Sequence, residues 1–285
     1  MRLLPLLAAI LLTPAVASAA PASDPAFLGI GMDDAPAYCS ISSITPASPA
    51  HDAGMQFGDA ILSIDGISTS GTPSAPGTAA QQWCTILRNQ IIGHRPGEQI
   101  KLDVRRGTQR ITLKATLSTR GEVLNRRLVG EAMPHSEVVD IDNEDLSYDL
   151  ADRRGRTTVV GWFMLENCTN CARVFDRVSD TLRKRFDGSE IVPATYAITA
   201  PGRRGDLKSL RKSFNANVPV GVADMEMFEM LALKDAERIH FMVVDCRGVV
   251  RFVAPVAPDS EDLDAAIDDV LAAAVQAEHQ RTSRR

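Results

Sequence analysis

Residues 157–171 read Thr157-Thr-Val-Val-Gly-Trp-Phe-Met-Leu165, then Glu-Asn, then Cys168-Thr-Asn-Cys171. The first nine residues form an apolar run with the length and composition of a buried β-strand. The residues after the cysteine pair predict a helix over Cys171–Phe186, with an apolar stripe at Val174, Val178 and Leu182. A helix N-terminus lowers the pKa of a thiol placed there, because it stabilises the thiolate. Thiolate is the species that attacks disulfides, so this order of elements predicts thiol–disulfide exchange.

Downstream of this stretch, strand-like and helix-like segments alternate. They are strand Ile191–Ile198, helix Gly205–Phe214, strand Val218–Val222, helix Asp224–Leu233, a hairpin of Phe241–Val244 and Val249–Val253, and helix Ser260–Gln276. Such alternation, ending in a hairpin and a helix, predicts an α/β domain with the thioredoxin order of elements. We assign residues 128–276 to this domain and residues 277–285 to a disordered tail.

Two further motifs support this assignment. They are Leu128-Val-Gly130 with Met133-Pro134, and Asp149-Leu-Ala-Asp-Arg-Arg-Gly155. Together with the C-x-x-C, they make this half of the chain resemble thioredoxin-like proteins of the TlpA type, which serve periplasmic thiol–disulfide exchange and cytochrome c maturation. The resemblance implies that Cys168 is the nucleophile and that Cys171 resolves the mixed disulfide.

Three positions depart from the pattern of that family. Ile239 stands six residues before the hairpin aspartate, where the family has a cis-proline. Trp162 stands where thioredoxins often have an acidic residue, and Asn167 stands where they have a tryptophan. The family's proline helps to bind the substrate backbone. Ile239 in its place therefore puts disulfide exchange with a substrate in question. Glu166 is either a proton acceptor for the pair or a solvated acid at the end of a strand.

The cysteine pair also has two other interpretations. One is a structural disulfide, although a bond that closes so short a loop stabilises a fold less than a long-range disulfide does. A metal site is the other, and it needs two further ligands, for which Cys246 and His240 are the candidates. The position of His240 at the head of an apolar strand favours a packing role. We therefore predict a redox pair, with no metal and no cofactor.

Residues 26–119 carry short strand-like runs and glycine turns instead. The runs are Leu28–Met32, Tyr38–Ile44, Ala60–Ile64, Gln99–Arg105 and Arg110–Leu117. One helix is predicted over Ala79–Ile92, with an apolar face formed by Trp83, Leu87 and Ile91. The residues from Ile67 to Thr78 lack periodicity and predict a mobile loop. This pattern predicts a β-rich α+β domain.

The segment Pro46-Ala-Ser-Pro-Ala-His-Asp-Ala-Gly-Met-Gln-Phe-Gly-Asp-Ala-Ile-Leu-Ser-Ile-Asp-Gly66 closely resembles the central motif of PDZ domains. Phe27-Leu28-Gly29-Ile30 is similar to the carboxylate-binding loop of the same family, most closely that of bacterial periplasmic proteases. The resemblance implies peptide binding at Leu28, Gly29 and Ile30, with an added strand on the sheet edge. The alternative role for such a module is that of a spacer.

The remaining cysteines divide between the two halves of the chain. Cys39 and Cys84 lie on a strand and a helix that face one core, and they form either a disulfide or two buried thiols. Cys246, in the predicted hairpin turn, is the odd cysteine of the five.

The first 19 residues have the features of an export signal, with basic Arg2, an apolar stretch and an A-x-A site that predicts cleavage near Ala19. The alternative, a membrane anchor, is disfavoured by the short apolar run. We expect a periplasmic or secreted protein. The formal net charge of −5 argues against nucleic acid and anionic membranes as partners. The length predicts two domains, joined by a linker at residues 120–127.

The predicted fold is thus a PDZ-like α+β domain followed by a thioredoxin-like α/β domain. The predicted function is an exported thiol–disulfide oxidoreductase whose PDZ domain recruits or orients a protein client or redox partner. The alternative is a non-catalytic adaptor that uses both folds for binding. The sequence argues against a protease, because neither G-x-S-x-G nor H-E-x-x-H occurs in it.

Overall fold

A computed structural model describes residues 25–71, 82–135, 137–143, 145–152, 155–164, 170–186, 193–200, 204–214, 218–231, 233, 238–261 and 263–282. The predicted export signal lies outside these residues, as do Cys168, Glu166 and Asn167. None of the helices within the described ranges has the length and apolar character needed to cross a membrane.

The first domain is built on a six-stranded antiparallel sheet. Its strands are β1 (Ile30–Ala35), β2 (Tyr38–Ile44), β3 (Ala60–Ile64), β4 (Ile67–Ser68), β5 (Gln99–Arg106) and β6 (Gln109–Thr116), in the order β1-β2-β3-β5-β6, with β4 paired to β3. Alternate residues of β5 (Ile100, Leu102 and Val104) are fully buried, as the period of a strand requires. A one-turn helix, α1 (Pro49–Asp52), follows β2, and α2 (Trp83–Gly93) packs against β1 and β2.

The predicted apolar face of α2 is buried, with Trp83, Leu87 and Ile91 in the core of this domain. The structure shifts the predicted strand Leu28–Met32 toward the C-terminus, because β1 begins at Ile30 and continues to Ala35. Leu28 and Gly29 form a loop instead, in which Gly29 has a φ of +83°, a conformation that glycine adopts without strain.

The second domain is a seven-stranded mixed sheet with helices. Its elements are α3 (Arg120–Leu128), β7 (Glu137–Asp140), β8 (Ser147–Asp149), β9 (Thr158–Phe163), α4 (Cys171–Arg185), β10 (Ala194–Thr199), α5 (Arg204–Arg211), β11 (Val220–Val222), α6 (Met225–Met230), β12 (Ile239–Val244), β13 (Val250–Val256) and α7 (Leu263–Thr282). The strand order is β13-β12-β9-β10-β11-β7-β8. Strand β9 is parallel to β10 and antiparallel to β12, which in turn is antiparallel to β13.

These pairings form a β9-α4-β10 unit and a β12-β13-α7 unit, which are joined by the antiparallel pairing of β9 with β12. This is the thioredoxin-like arrangement predicted from the sequence. Helices α4 and α7 cover one face of the sheet, where their apolar residues join those of β9 and β12 in one core. A second core on the opposite face includes Trp162, Phe228 and Leu124.

Residues 120–127, predicted to be a linker, form most of a helix, α3. Thr119 and Glu122 form a reciprocal capping box that starts α3. Leu124 and Leu128 are buried in the core of the second domain, and the Asn125 side chain hydrogen-bonds both the N–H and the C=O of Val253 in β13. Helix α3 therefore covers the edge of β13, where an open strand would otherwise expose unpaired backbone groups.

The predicted disordered tail is wrong as far as Thr282, because α7 continues to that residue. Ala277 and Glu278 are buried. Glu278 accepts hydrogen bonds from Thr157 Oγ1 at 2.7 Å and from Arg281 Nε at 2.6 Å. These contacts tie the last turns of α7 to the start of β9, which explains why the helix does not end at Gln276.

Candidate functional site

Cys171 is the first residue of α4 and is completely buried. Its sulfur is engaged in a disulfide bond. Asn170 precedes the helix without capping it by its side chain, and instead donates from Nδ2 to Asp259 Oδ1 at 2.9 Å. Since β9 is a central strand of the sheet, the chain delivers Cys171 to the carboxyl end of the parallel β9–β10 pair.

The ring of Phe175, one turn after Cys171 in α4, lies next to β9. A Cβ on Gly161 would stand 2.6 Å from the Phe175 ring and 2.9 Å from Ile239 Cδ1, so the strand needs a glycine there for α4 to pack this closely. Phe175 also stacks on Phe241, with ring centres 6.1 Å apart.

Trp162, which stands where thioredoxins often have an acidic residue, is completely buried. It belongs to the core on the opposite face of the sheet, where its ring packs edge-to-face against Phe228 at 5.5 Å. The physical reason is the two-residue period of β9, which turns Phe163 toward α4 and Trp162 away from it. Trp162 therefore takes part in packing and not in thiol chemistry.

Ile239 begins β12 and is fully buried against α4. The described residues contain no cis peptide bond. Ile239 thus fills the proline position as an ordinary strand residue, with its backbone paired to Val256.

His240, the next residue, is completely buried, and neither ring nitrogen has a hydrogen-bond partner among the described residues. Burial holds the pKa of His240 well below its usual value, and the positive charges of Arg120 and Arg238 lower that pKa further. Cys246 follows the other end of β12, so six extended residues, about 20 Å, separate the two. His240 and Cys246 cannot complete one tetrahedral metal site with the cysteine pair, and the metal interpretation fails on this geometry.

Cys39 and Cys84 form a disulfide, with their Cα atoms 4.8 Å apart. The bond joins β2 to the first turn of α2. The Asp34 carboxylate adds a second link, because it accepts a hydrogen bond of 2.8 Å from the Cys84 N–H. Cys246 is a free, half-buried thiol in the β12–β13 turn.

The loop Phe27–Ile30 leads into β1, which is an edge strand of the first sheet. Its carbonyls are engaged, since Leu28 O accepts from Ala50 N and Gly29 O accepts from Thr45 N, both at 2.9 Å. Within the described part of the chain, neither the Leu28 N–H nor the Gly29 N–H donates a hydrogen bond. Two neighbouring amides without acceptors form a site of the kind that receives an anion.

Strand β1 leads away from this loop and packs against α2. Ile30 and Met32 pack against the apolar core that contains Leu87 and Ile91 of α2. The Asp34–Cys84 hydrogen bond joins β1 to the first turn of α2. The geometry can accept an extended peptide at the edge of β1, with its carboxyl end at the loop.

The strand registers place the PDZ loop and the cysteine pair at the same end of the second sheet. His240 pairs with Trp162, the penultimate residue of β9, and with Pro255 near the end of β13. Helix α3 runs along β13 from this end, because Asn125 contacts Val253 and Gly130 N bonds Val250 O. The start of α3, which follows directly on the first domain, therefore lies at the end where β9 leads to Cys171.

Sequence reasoning missed α3, although the Thr-x-x-Glu spacing of Thr119 and Glu122 was a readable signal for a helix start. A further group with metal-ligand chemistry consists of His135, Asp149 and Asp152, whose ligand atoms lie within 4.8 Å of one another. His135 is largely exposed, and its Nδ1 lies 2.6 Å from Asp149 Oδ2. The group is an exposed hydrogen-bonded cluster far from the cysteine pair in the fold.

Comparison with known protein families supports the assignment of the first domain. Residues 26–117 match the PDZ domain family, and this part of the chain is a PDZ domain. A search of curated protein sequences gave no match.

Solved structures resemble the two halves separately. A candidate protein disulfide isomerase from Bacteroides thetaiotaomicron aligns with 16% identity and a TM-score of 0.42, over 53% of this chain and 93% of that protein. A candidate thiol:disulfide interchange protein DsbE from Chlorobium tepidum aligns with 16% identity and a TM-score of 0.39. The alignment covers 50% of this chain and 97% of that protein. The serine endoprotease from Yersinia pestis aligns with 22% identity and a TM-score of 0.26, over 34% of this chain. The chain spans 29% of that endoprotease.

Proposed function

We propose that the protein is an exported thiol–disulfide oxidoreductase that uses Cys168 and Cys171 on protein clients held by its PDZ domain. The observation that carries the proposal is the buried, disulfide-bonded Cys171 at the first residue of α4, directly after the central strand β9. A helix N-terminus favours thiolate over thiol, which is the requirement for exchange.

In the oxidising direction, a client thiolate attacks the sulfur of Cys168 and the Cys171 thiolate leaves. A second client thiolate then attacks the client sulfur of the mixed disulfide, and the Cys168 thiolate leaves. The client loses two electrons and two protons and gains a disulfide, while the Cys168–Cys171 pair is reduced. The same steps in reverse reduce a client disulfide.

In this proposal, the PDZ domain recruits the client by binding its carboxyl end. The open amides of Leu28 and Gly29 suit a terminal carboxylate, and the unpaired edge of β1 suits an extended chain. The partly buried apolar residues Ile30 and Met32 of the same strand suit an apolar side chain near the end of the client. We expect a partner with an accessible carboxyl end and exchangeable thiols or a disulfide.

The test compares the wild-type protein with two serine variants in reduction of insulin disulfides and in capture of mixed disulfides. Cys171→Ser leaves the nucleophile without its resolving thiol, so it should accumulate mixed disulfides, whereas Cys168→Ser should not. Cys246→Ser is the matched control and should behave like the wild type. Equal background activity in all four proteins rules the proposal out.

A non-catalytic adaptor is the second candidate, and one observation favours it. Ile239 occupies the place of the substrate-binding proline as a buried strand residue. An adaptor predicts that a double Cys168→Ser/Cys171→Ser variant binds a PDZ ligand as tightly as the wild type and that neither protein reduces insulin.

A further inference from the structure

The residue next to Cys171 is held by a side chain from a distant part of the second domain. Asn170, the last residue between the two cysteines, donates from Nδ2 to the carboxylate of Asp259 at 2.9 Å. Asp259 lies 89 residues further along the chain, in the connection between β13 and α7. Since adjacent Cα atoms are about 3.8 Å apart, this contact keeps the carboxylate within roughly 10 Å of the Cys171 Cα atom.

The direction of the strands explains why this connection meets the cysteine pair. Strand β9 is antiparallel to β12, and β12 is antiparallel to β13, so β9 and β13 run in the same direction. Both strands therefore end at the same edge of the sheet. The chain after β9 leads there to Cys171, and the chain after β13 leads there to Asp259.

The backbone around Asp259 forms a turn that fixes the position of the carboxylate. Ser260 N donates to Ala257 O at 3.2 Å, so Ala257–Ser260 is a hydrogen-bonded β-turn. Its second residue is the buried Pro258, and a proline at this place sets the backbone φ in advance. Asp259, the third residue, is exposed and extends its side chain to Asn170. The charge therefore stays beside the pair as long as this hydrogen bond is made.

We infer that Asp259 is a positioning residue for the cysteine pair and that its charge makes the disulfide harder to reduce. The inference rests on the proposed thiol–disulfide exchange and adds a residue that sets its equilibrium. Reduction by a thiol buffer converts two buffer thiols to one disulfide, and the pair gains two electrons and two protons. The nucleophilic thiol releases one of these protons when it ionises, and a nearby negative charge disfavours the resulting thiolate. The Asp259 charge should therefore shift the equilibrium toward the disulfide.

Other charged side chains near the starts of α4 and α7 have different surroundings. Arg177 of α4 forms an ion pair of 2.6 Å with Asp264 of α7, so these two charges largely offset each other. Arg173 of α4 and Glu261, just before α7, are exposed to solvent. These groups are the same in every variant of Asp259, so a comparison of such variants isolates the effect of the Asp259 charge.

The experiment measures the equilibrium of the pair in glutathione and dithiothreitol redox buffers. It uses the full-length protein with Cys246→Ser, which removes the free thiol, and mass spectrometry of the alkylated peptide that carries Cys168 and Cys171. At low ionic strength, Asp259→Asn keeps a hydrogen-bond acceptor without the charge and should favour the reduced pair about threefold. In about 1 M salt, where the screening length is about 3 Å, this difference should disappear. A purely structural role of Asp259 would not respond to salt in this way.

Two further variants test whether the hydrogen bond positions the charge. Asn170→Ala releases the carboxylate, so adding Asp259→Asn to it should change the equilibrium by less than about 1.5-fold. Asp268→Asn removes an exposed carboxylate further along α7 and should match the wild type at both salt concentrations. A reversible pair that Asp259→Asn leaves unchanged overturns this inference and leaves the proposed exchange intact, as does an equally large effect in the Asn170→Ala background. A pair that neither buffer reduces in any variant overturns the proposed function together with it.

Discussion

At the scale of single residues, the most unusual side chain is His240. It is fully buried on the α3 side of β12, and its ring nitrogens have no hydrogen-bond partner among the described residues. An imidazole in such a place must stay neutral, because protonation would bury a charge beside two arginines. The position was predicted from the sequence to serve packing, and its burial agrees with that role.

His240 therefore makes the second domain sensitive to acid. The pKa of His240 lies below its usual 6.5 in the folded protein, so the unfolded chain binds a proton first as the pH falls. The contribution of neutral His240 to the unfolding free energy is fully present above about pH 6.5. Below that pH the unfolding free energy falls by up to ~1.4 kcal/mol per pH unit, until His240 is protonated in the folded state as well. We expect His240→Leu to remove this dependence and to raise the unfolding free energy at pH 7.5, on the order of 1 kcal/mol.

The measurement is urea unfolding at pH 7.5 and pH 5.0. The chain has two tryptophans, Trp83 in the PDZ domain and Trp162 in the second sheet, so a Trp83→Phe background reports on the second domain alone. His51→Gln, at an exposed histidine of the PDZ domain, is the control. An unchanged pH dependence in His240→Leu would show that other groups cause it.

At the scale of secondary-structure elements, the disulfide between β2 and α2 is a covalent link that stabilises the PDZ domain. Cys39 and Cys84 are 45 residues apart in sequence. Closing a loop of that length lowers the entropy of the unfolded chain by an amount worth about 4 kcal/mol, if native strain is small. We expect the double variant Cys39→Ala/Cys84→Ala to lose roughly this stability in urea unfolding followed by Trp83 fluorescence in a Trp162→Phe background. Cys246→Ser should leave the curve unchanged, and a loss under about 1 kcal/mol in the double variant would contradict the argument.

A second element-scale prediction concerns the docking of α3 on β13. Asn125 bonds the Val253 N–H at 3.1 Å and its C=O at 2.5 Å, and Val253 is buried. Asn125→Ala leaves both backbone groups without partners, so we expect the second domain to lose about 1–3 kcal/mol. Arg126→Ala, which breaks only an exposed ion pair of the same helix, should cost under about 1 kcal/mol. Equal losses in the two variants would mean that Asn125 does not anchor the helix.

Some secondary-structure elements were predictable from the sequence and others were not. Strands β2 and β3 occupy the predicted residues, because alternating burial and flanking turns define both ends. Helix α1 was missed since a single turn has no periodicity to detect. Helix α3 was assigned to a linker because most of its residues are charged or polar and only a few apolar positions dock it. Its role depends on contacts with β13, more than 120 residues away in sequence, which local patterns do not carry.

The candidate site was predictable to a similar extent. The position of Cys171 at the start of a helix follows from the strand, C-x-x-C, helix order, and the structure has the helix begin there. The placement of Trp162 on the face opposite α4 was not predictable, because a strand pattern shows that side chains alternate between two faces but not which face meets which helix. The contact of Arg120 with Phe27 joins two domains and had no local signal.

At the scale of the whole molecule, the docked helix α3 places the PDZ domain at the end of the second sheet where β9 leads to Cys171. The PDZ loop lies at the end of the second sheet that carries the cysteine pair, and β13 is two strand spacings, about 10 Å, from β9. A client held by its carboxyl end is therefore confined near the pair. Tethering of this kind replaces the bulk client concentration by an effective concentration in the millimolar range.

This confinement predicts a rate advantage that depends on the carboxyl end of the client. At micromolar concentration, a dithiol peptide with a free carboxyl end should exchange up to ~100-fold faster than its amidated twin, because only the former is tethered. Gly29→Ala should abolish the difference, since a side chain there would stand 2.2 Å from Ser48 Cβ in a loop with a φ of +83°. Reduction of the pair by glutathione, which needs no tether, should proceed at the wild-type rate in that variant. Stopped-flow measurement of pair oxidation state with both peptides checks the prediction, and equal rates for the free and amidated peptides would show that the PDZ domain does not present clients to the pair.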